Sequence, residues 1–180
     1  MLIDAERSLL LVVDLQAKMV PALPDGDAIV ANAVWLIRVA QRIGVPVAAV
    51  EQYPKGLGPL VPAIRDLLAP EAVATKRRFS CVAAKCLAGL PGTDRAQVVI
   101  AGAETHVCVL QSALELVEDG KEVYVVADAV GSRRTFDRDV ALSRMRQEGV
   151  RVVTREMVAF EWLGEAGTPL FREINREFLR

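Results

Sequence analysis

The sequence predicts an α/β fold in which a parallel sheet of six strands lies between two layers of helices. Short apolar segments, such as residues 9–15 (LLLVVDL) and 97–101 (QVVIA), alternate with longer amphipathic segments along the chain. Strands that are apolar throughout are typical of parallel sheets, which are covered on both faces. With right-handed crossover connections, this alternation gives a three-layer α/β/α sandwich with the strand order 3-2-1-4-5-6.

The predicted elements follow one another in a regular order, with no internal repeat or linker, which favours a single domain over residues 1–180. Strands are expected at residues 9–15, 46–50, 72–75, 97–101, 122–127 and 150–153. Helices are expected at residues 27–43, 60–68, 106–119 and 137–148, with one or two more after the last strand. The side chains suited to N-capping are those of Asp27, Asp137 and, for the segment 81–88, Ser80. Suitable C-terminal stops are Gly44, Gly120 and Gly149.

The overall composition is that of a folded protein and argues against several functional classes. Hydrophobic residues make up 52% and charged residues 25% of the 180 residues, a mixture unlike that of disordered chains. The formal net charge of −1 provides no strong positive field for nucleic acid or an anionic membrane. No apolar segment reaches the roughly 20 residues that a membrane span needs.

The N-terminus and the cysteines indicate a cytoplasmic protein. Asp4 and Glu6 precede the first apolar segment, whereas a secretory signal peptide carries positive charge there. In a reducing compartment Cys81, Cys86 and Cys108 are expected to be free thiols. With one histidine and three scattered cysteines, the chain lacks the ligand spacing of a structural zinc site.

Three residues of different reactive types follow predicted strands. Asp14 ends the first strand, Lys76 follows the third, and Cys108 follows the fourth. Ligands of open parallel sheets bind at the carboxyl ends of the strands, so these side chains are expected to meet at one edge. In the predicted order the first and third strands are two places apart, about 10 Å, and a lysine side chain can close most of that gap.

Each of these residues also has a structural interpretation. Cys108 lies in the first turn of a predicted helix, where partial positive charge favours a thiolate, although a cysteine there is often a small core residue. Asp14 is a candidate general base, although an aspartate at the end of a strand can instead cap a turn. Lys76 taken alone is typical of a surface residue. Cys81 and Cys86 have no neighbouring base in the sequence and are interpreted as structural.

Four segments, in order along the chain, resemble the isochorismatase-like cysteine hydrolases. They are LLLVVDLQ at residues 9–16, EQYPKGLG at 51–58, ATKRRFS at 74–80 and IAGAETHVCVLQSALELVEDGKEVYVVADAVGSR at 100–133. The second segment is most similar to the subgroup called isochorismatase domain-containing proteins. The similarity covers roughly residues 9–158. It is specific for the superfamily and much less specific for a substrate.

The resemblance implies a role for each of the reactive residues. Asp14 falls on the family's general base, Lys76 on the lysine that organises the aspartate and the cysteine, and Cys108 on the nucleophile. The Ala103–Glu104 bond falls where the family has a cis peptide. In the family this turn directs the N–H groups of residues 104 and 108 at a developing oxyanion, which is usually a large catalytic contribution.

Differences between this chain and two related branches of the family restrict the reactions that the resemblance implies. The nicotinamidase branch has an Asp-and-His metal site after its second strand, and this chain has EQYPKGLG there, without histidine. No metal or other cofactor is therefore expected. True isochorismatases lack the cysteine nucleophile and cleave a vinyl ether, so Cys108 favours acyl transfer.

The expected function is metal-independent hydrolysis of a small amide, or a related C–N or ester substrate, through a thioester. The residues expected to contact the substrate are Gln16, Glu51, Gln52, Tyr53, Phe79 and Thr105. A structural role is favoured for His106. The family implies a homo-oligomer, a dimer or larger, and the other expected partner is a small-molecule substrate, with neither nucleic acid nor membrane.

Three alternatives to this function are considered. The main one is a catalytically silent binding or scaffold protein that retains the fold. A nucleotide-dependent oxidoreductase would need G-x-G-x-x-G after the first strand, and the sequence there, DLQAKMVPALPDGD, lacks it. A redox-sensing thiol would need a resolving cysteine near Cys108, a role for which Cys81 is a minor candidate.

Overall fold

Six parallel strands form one sheet in a computed structural model of the protein, which describes residues 1–179. The order across the sheet is β3-β2-β1-β4-β5-β6, and every neighbouring pair is parallel. The strands are Ser8–Val13 (β1), Val47–Gln52 (β2), Val73–Lys76 (β3), Gln97–Ala103 (β4), Glu122–Gly131 (β5) and Arg151–Val153 (β6). The predicted fold class and strand order are therefore confirmed.

Helices cover both faces of the sheet. They are Gly26–Ile43 (α1), Pro54–Leu57 (α2), Pro62–Arg65 (α3), Leu110–Glu118 (α4), Thr135–Gln147 (α5), Arg155–Leu163 (α6) and Pro169–Phe178 (α7), and a π-helical turn at Thr105–Val109 precedes α4. One apolar cluster joins α1 and α6 to the sheet. A second cluster joins α4 and α5 to the opposite face. Within residues 1–179, none of these helices combines the length and the apolar character that crossing a membrane requires.

The central strand β1 divides its side chains between the two apolar clusters. Leu10 and Val12 belong to the cluster under α1, whereas Leu9 and Leu11 belong to the cluster under α4. Successive strand residues point to opposite faces, so a strand that is buried on both sides must be apolar throughout. Burying each of these side chains contributes about 1.5–3 kcal/mol, and the carboxyl end of β1 is correspondingly held in place.

Several element boundaries differ from the prediction. The strands β2 and β4 each continue two residues beyond their predicted ends, to Gln52 and Ala103. The predicted helix 60–68 is reduced to Pro62–Arg65. The predicted helix 106–119 is divided into the π-helical turn and α4. Parallel pairing with a neighbouring strand decides where the long strands end, and local sequence carries little of that information.

The predicted caps are also revised. Asp27 and Asp137 lie in the first turns of α1 and α5 and do not occupy the capping position. Acidic residues in the first turn still interact favourably with the helix dipole. The segment 81–88 forms turns in place of a helix. Ser80 Oγ nevertheless accepts hydrogen bonds from the N–H groups of Val82 and Ala83, at 3.1 and 3.2 Å.

Candidate active site

The sheet brings the aspartate and the lysine to the same edge. Asp14 directly follows β1, whose last residue Val13 pairs with Val50 of β2 and Gly102 of β4. Lys76 is the last residue of β3 and pairs with Gln52 of β2. The lysine side chain therefore has to pass the end of β2 to reach Asp14, as the predicted strand order requires.

Asp14 and Lys76 form a buried ion pair. Lys76 Nζ donates to Asp14 Oδ2 at 2.8 Å, and both side chains are fully buried. The other carboxylate oxygen, Asp14 Oδ1, makes no conventional hydrogen bond within residues 1–179. Burying an ion pair has a considerable desolvation cost, and Asp14 Oδ1 is not compensated by a hydrogen-bond donor among the described residues. This oxygen is therefore a candidate proton acceptor.

The backbone around Asp14 is held by a close approach of two strands. Asp14 has a φ of 52°, in the left-handed region that aspartate tolerates better than most residues. The neighbouring Gly102 has a φ of 139°, and a Cβ atom there would lie 2.0 Å from the carbonyl oxygen of Val13. Only glycine permits this approach, which places the end of β4 directly against the residue before Asp14.

Cys108 lies in the π-helical turn that follows β4. It is 5% exposed, and it lies close enough to Asp14 and Lys76 for the charges of both groups to shift the pKa of its thiol. The structure thus brings together the three reactive residues that the sequence singles out. Of the three residues, Cys108 is slightly the most exposed to solvent, and Asp14 is the most deeply buried.

The electrostatics of the site favour the neutral thiol. Burial raises the pKa of Cys108 to about 12, with a further contribution from the negative charge of Asp14, and the positive charge of Lys76 opposes both effects. Burial also raises the pKa of Asp14, and Lys76 again opposes the shift. The expectation that the helix terminus produces a thiolate is therefore wrong for the resting site, because desolvation outweighs the helix dipole. A base must remove the thiol proton during the reaction.

Two glutamines, which the sequence analysis assigns to substrate contact, are used within the protein instead. Gln52 Oε1 accepts from Lys76 Nζ at 2.7 Å, and Gln52 Nε2 donates to the carbonyl of Arg77 at 2.7 Å. Gln16 pairs with the backbone of Gln52 through its Oε1 at 2.8 Å and its Nε2 at 3.0 Å. Gln16 is fully buried and Gln52 is 9% exposed. The two glutamines thus form a hydrogen-bonded support under Lys76, and substrate contact by either of them stays a prediction.

Glu51 is likewise engaged internally, whereas the two predicted aromatic residues remain available. Glu51 Oε1 accepts from the N–H of Leu60 at 2.7 Å, which fastens the loop after β2. Tyr53 is 45% exposed and Phe79 is 52% exposed. The guanidinium of Arg77 lies over the Tyr53 ring, 5.4 Å from its centroid. Substrate contact by the two aromatic side chains stays a prediction.

The turn after β4 contains the groups that the resemblance relates to the oxyanion. The Ala103–Glu104 peptide bond is cis. The N–H of Glu104 makes no hydrogen bond within residues 1–179. The Glu104 side chain is held by Arg133, whose N–H and Nε donate to Oε1 at 3.1 and 2.9 Å. An unpaired N–H on a residue fixed in this way is suited to donating to a ligand.

Thr105 and His106 follow this turn and differ in their bonding. Thr105 is fully buried, and its hydroxyl has no hydrogen-bond partner within the described part of the chain, so it stays a candidate substrate contact. His106 Nδ1 lies 2.9 Å from Ser132 Oγ, in keeping with the structural role that is favoured for it. A cavity of about 460 Å³ is lined by His106, Arg133, Arg134 and Asp137.

Arg133 is a residue of this region that the sequence analysis does not single out. It is the last residue of the longest segment that resembles the family. Its place in that segment was the one feature of the sequence that pointed to Arg133. The contact between Arg133 and Glu104 depends on the packing of β5 beside β4. Across residues 1–179, no group of three or more His, Cys, Asp or Glu side chains is arranged to hold a metal ion.

The remaining cysteines lie on the segment after β3. Cys81 is fully buried, and burial raises its pKa to about 11. Cys86 is half-buried, its pKa is raised by burial, and its Sγ lies 3.4 Å from the carbonyl oxygen of Cys81. All three cysteines are free thiols. Because Cys86 is more exposed than Cys108, labelling of the two must be resolved by residue.

Comparison with known sequences identifies the family. A family model described as the isochorismatase domain matches residues 8–157. Isochorismatase domain-containing protein 2 of Danio rerio is 38% identical over 176 residues, which are 97% of this chain and 88% of that protein. Isochorismatase domain-containing protein 2A of Mus musculus is 39% identical over 173 residues, which are 95% of this chain and 82% of that protein.

Solved structures agree with the sequence comparison. MAR1 ribonuclease from Caenorhabditis elegans has a TM-score of 0.89 and 34% identity, over 100% of this chain and 93% of that one. The YcaC gene product of Escherichia coli, an octameric hydrolase of unknown specificity, has a TM-score of 0.85 and 28% identity, over 91% and 83%. YcaC from Pseudomonas aeruginosa, with hexane-2,5-diol and covalent acrylamide, has a TM-score of 0.89 and 27% identity, over 99% and 92%. The chain therefore belongs to the isochorismatase family and has its hydrolase fold.

Proposed function

We propose that the protein is a metal-independent cysteine hydrolase that cleaves a small amide, or a related C–N or ester bond, through a thioester on Cys108. The observation that carries the proposal is the 2.8 Å contact between Lys76 Nζ and Asp14 Oδ2, with the Cys108 thiol coupled to both groups. A nucleophile, a base and a cation in one buried cluster is the combination that covalent acyl transfer needs.

The first half of the proposed reaction forms the thioester. Asp14 accepts the Cys108 proton as the sulfur attacks the substrate carbonyl carbon. The resulting oxyanion accepts hydrogen bonds from the N–H groups of Glu104 and Cys108. The carbonyl then re-forms, the C–N bond breaks, and Asp14 returns the proton to the leaving amine.

The second half releases the acid. Asp14 removes a proton from a water molecule that attacks the thioester carbonyl, and the same N–H groups stabilise the second oxyanion. The C–S bond breaks, the thiolate recovers its proton from Asp14, and a carboxylic acid leaves. Lys76 holds the Asp14 carboxyl group in place and stabilises negative charge on the sulfur.

A related structure supports a covalent route. YcaC from Pseudomonas aeruginosa carries covalent acrylamide, which is itself a small amide with an electrophilic carbon. That observation belongs to YcaC, and because acrylamide adds to nucleophiles through its alkene carbon, it favours testing whether Cys108 of this chain forms a covalent adduct.

The test compares turnover of a panel of small amides and esters by the wild type and by Cys108→Ser. Cys86→Ser is the matched control, because it makes the same atomic change at a half-buried cysteine outside the cluster. We expect Cys108→Ser to lose turnover by at least about 100-fold, Cys86→Ser to keep it, and mass spectrometry to find the acyl adduct on Cys108. Full turnover by Cys108→Ser would contradict the proposal.

A second candidate, a catalytically silent binding protein, is favoured by one observation. Cys108 is only 5% exposed, and its raised pKa leaves little thiolate in the resting site. This candidate predicts no turnover of any amide or ester and binding that survives in Cys108→Ala. Because the Caenorhabditis elegans neighbour is called a ribonuclease, an RNA substrate belongs in the panel. Cleavage of RNA without an acyl adduct would replace the amide proposal.

We also propose that the protein forms a homo-oligomer in the cytoplasm. The octameric YcaC of Escherichia coli supports association. Light scattering coupled to size exclusion tests it, and a mass of 19.6 kDa, that of one chain, would contradict it.

A further inference from the structure

The cation of the cluster has two fixed hydrogen-bond partners. Lys76 Nζ donates to Asp14 Oδ2 at 2.8 Å and to Gln52 Oε1 at 2.7 Å. An ammonium group has three N–H donors, so two fixed acceptors determine the direction of the third. The Cys108 thiol is the other reactive group near this ammonium, and the positive charge of Lys76 lowers the pKa of that thiol.

The orientation of the Gln52 amide is set by its other partner. Gln52 Nε2 lies 2.7 Å from the carbonyl oxygen of Arg77, which can only accept a hydrogen bond. Lys76 Nζ can only donate. A flipped amide would place its NH₂ group against the ammonium and its oxygen against a carbonyl. The amide thus has one chemically acceptable orientation, and this orientation presents oxygen to the lysine.

The backbone beneath this amide is also fixed. Gln52 and Lys76 are register partners on adjacent parallel strands, so their side chains emerge on the same face of the sheet. Gln16 Oε1 accepts from the Gln52 N–H at 2.8 Å, and Gln16 Nε2 donates to the Gln52 carbonyl at 3.0 Å and to the Gly58 carbonyl at 2.6 Å. The acceptor that faces Lys76 is therefore held by both backbone and side-chain bonds.

We propose that Gln52 is a positioning residue for the reaction, and that it holds the Lys76 ammonium so that its third N–H points at the Cys108 sulfur. The inference rests on the proposed cysteine chemistry and adds a residue to it. Gln52 acts through Lys76 and touches neither substrate nor nucleophile. Its amide oxygen and nitrogen each bond within the protein, to Lys76 and Arg77, and the residue is only 9% exposed.

The proposal predicts a specific chemical consequence at the sulfur. In Gln52→Met a side chain of similar size loses the acceptor, and one N–H of a buried ammonium is left unpaired. The ammonium is then less firmly placed and its charged form less favoured, so the thiolate loses stabilisation. In Gln52→Glu the lysine keeps an acceptor, but a second negative charge approaches the sulfur and a carboxylate oxygen faces the Arg77 carbonyl.

The experiment measures the alkylation rate of Cys108 by iodoacetamide between about pH 7 and 10, in a Cys86→Ser background, with mass spectrometry assigning each site. We expect Gln52→Met to slow alkylation about three- to tenfold. We expect Gln52→Glu to slow it at least about tenfold. In both variants the rate should still rise with pH up to about pH 10, as in the parent protein, because the pKa of Cys108, about 12, lies above this range.

Gln97→Met is the matched control for stability. Gln97 is a fully buried glutamine at the start of β4. It bonds the N–H of Asp4 at 2.7 Å and the carbonyl of Leu2 at 3.1 Å, at the sheet edge opposite to Cys108. We expect it to lower the melting temperature about as much as Gln52→Met does and to leave the alkylation rate of Cys108 unchanged.

The outcomes separate this inference from the proposed function. Unchanged alkylation in both Gln52 variants, in a protein that turns over an amide through Cys108, overturns the positioning role alone. Equal slowing in Gln97→Met assigns the effect to general stability and also overturns it. If Gln52→Met does not fold, Gln52→Glu decides the matter by the same measurement. A parent protein whose Cys108 is unreactive throughout this pH range overturns both the proposed function and the inference.

Discussion

Replacing Asp14 by asparagine should have opposite effects on two reactions of the same cysteine. Asp14→Asn removes the proton acceptor, so amide turnover should fall by at least about 100-fold. It also removes a negative charge that raises the pKa of Cys108, so alkylation of Cys108 should become faster. Unfolding would also expose Cys108 and speed its alkylation, so the comparison requires a variant whose melting temperature stays close to that of the parent protein.

The size of the increase follows from the charge that is removed. Two unit charges about 4 Å apart interact by about 4 kcal/mol at an effective dielectric constant of about 20, which corresponds to about three pKa units. A more acidic thiol gives a less nucleophilic thiolate, and about half of the gain is lost in this way. Screening within the partly exposed site reduces the effect further, so we expect about a tenfold faster reaction with iodoacetamide near pH 8.

The asparagine variant leaves Lys76 buried without a carboxylate, which is costly unless another anion takes its place. We expect the Cys108 thiolate to become that anion. The assay is site-resolved alkylation in the Cys86→Ser background, with Asp139→Asn, an exposed residue of α5, as the charge-matched control. Alkylation of Cys108 slower than in the parent protein would refute the reasoning, because it would mean that removing the Asp14 charge does not favour the thiolate.

Three further measurements test the same site. Lys76→Met should slow both alkylation and turnover about tenfold or more, since Lys76 lowers the pKa of Cys108; an unchanged alkylation rate would contradict this. Turnover should decline on the acid side at a higher pH than an ordinary aspartate gives, because burial raises the pKa of Asp14 above its ordinary value of 3.8 and the reaction needs the ionised carboxylate. A pH–rate profile measures this, and an acid limb at the ordinary value would exclude Asp14 as the base. Gly102→Ala should lower the free energy of unfolding by about 3 kcal/mol or more, because the added Cβ would lie 2.0 Å from Val13 O. Chemical denaturation measures this free energy. A loss below about 1 kcal/mol would contradict the prediction and show that the strands can separate locally.

The strand order of the sheet and the contact between Asp14 and Lys76 can both be predicted from the sequence. An apolar β1 has to be covered on both faces, which fixes the fold class. The strand order then fixes which residues share the carboxyl edge. The reach of one lysine side chain is enough to connect residues two strands apart, so the Asp14–Lys76 contact of 2.8 Å follows from topology and side-chain length.

The role of Gln52 could not be predicted in the same way. Its contact with Lys76 requires the register in which these two residues are paired, and also requires β2 to continue two residues beyond its predicted end. A polar residue in a Gly/Pro-rich stretch is equally typical of a loop that contacts substrate. The contact of Arg133 with Glu104 depends on packing in the same sense, because it joins residues 29 positions apart.

Burial affects the protonation state of Cys108 more than the helix terminus does. A helix terminus offers at most a fraction of a unit charge, whereas complete desolvation moves a pKa by several units. The helix effect would decide the outcome for an exposed cysteine, but Cys108 is 5% exposed and lies next to a carboxylate. Position on an element therefore identifies a candidate nucleophile, and the surrounding three-dimensional structure sets its charge.

This protonation state has a consequence for how the proposed reaction proceeds. In the resting site the carboxylate and the ammonium balance each other and the thiol is neutral, so the cluster carries no net charge. Transfer of the proton from Cys108 to Asp14 preserves that balance, but the raised pKa of Cys108 makes a free thiolate unfavourable. Proton transfer must then accompany formation of the C–S bond, so that negative charge passes to the substrate oxygen and its N–H donors without resting on sulfur. The depth at which Cys108 is buried thus slows unspecific reactions of the thiol, and a bound carbonyl that accepts the negative charge makes attack by the sulfur faster.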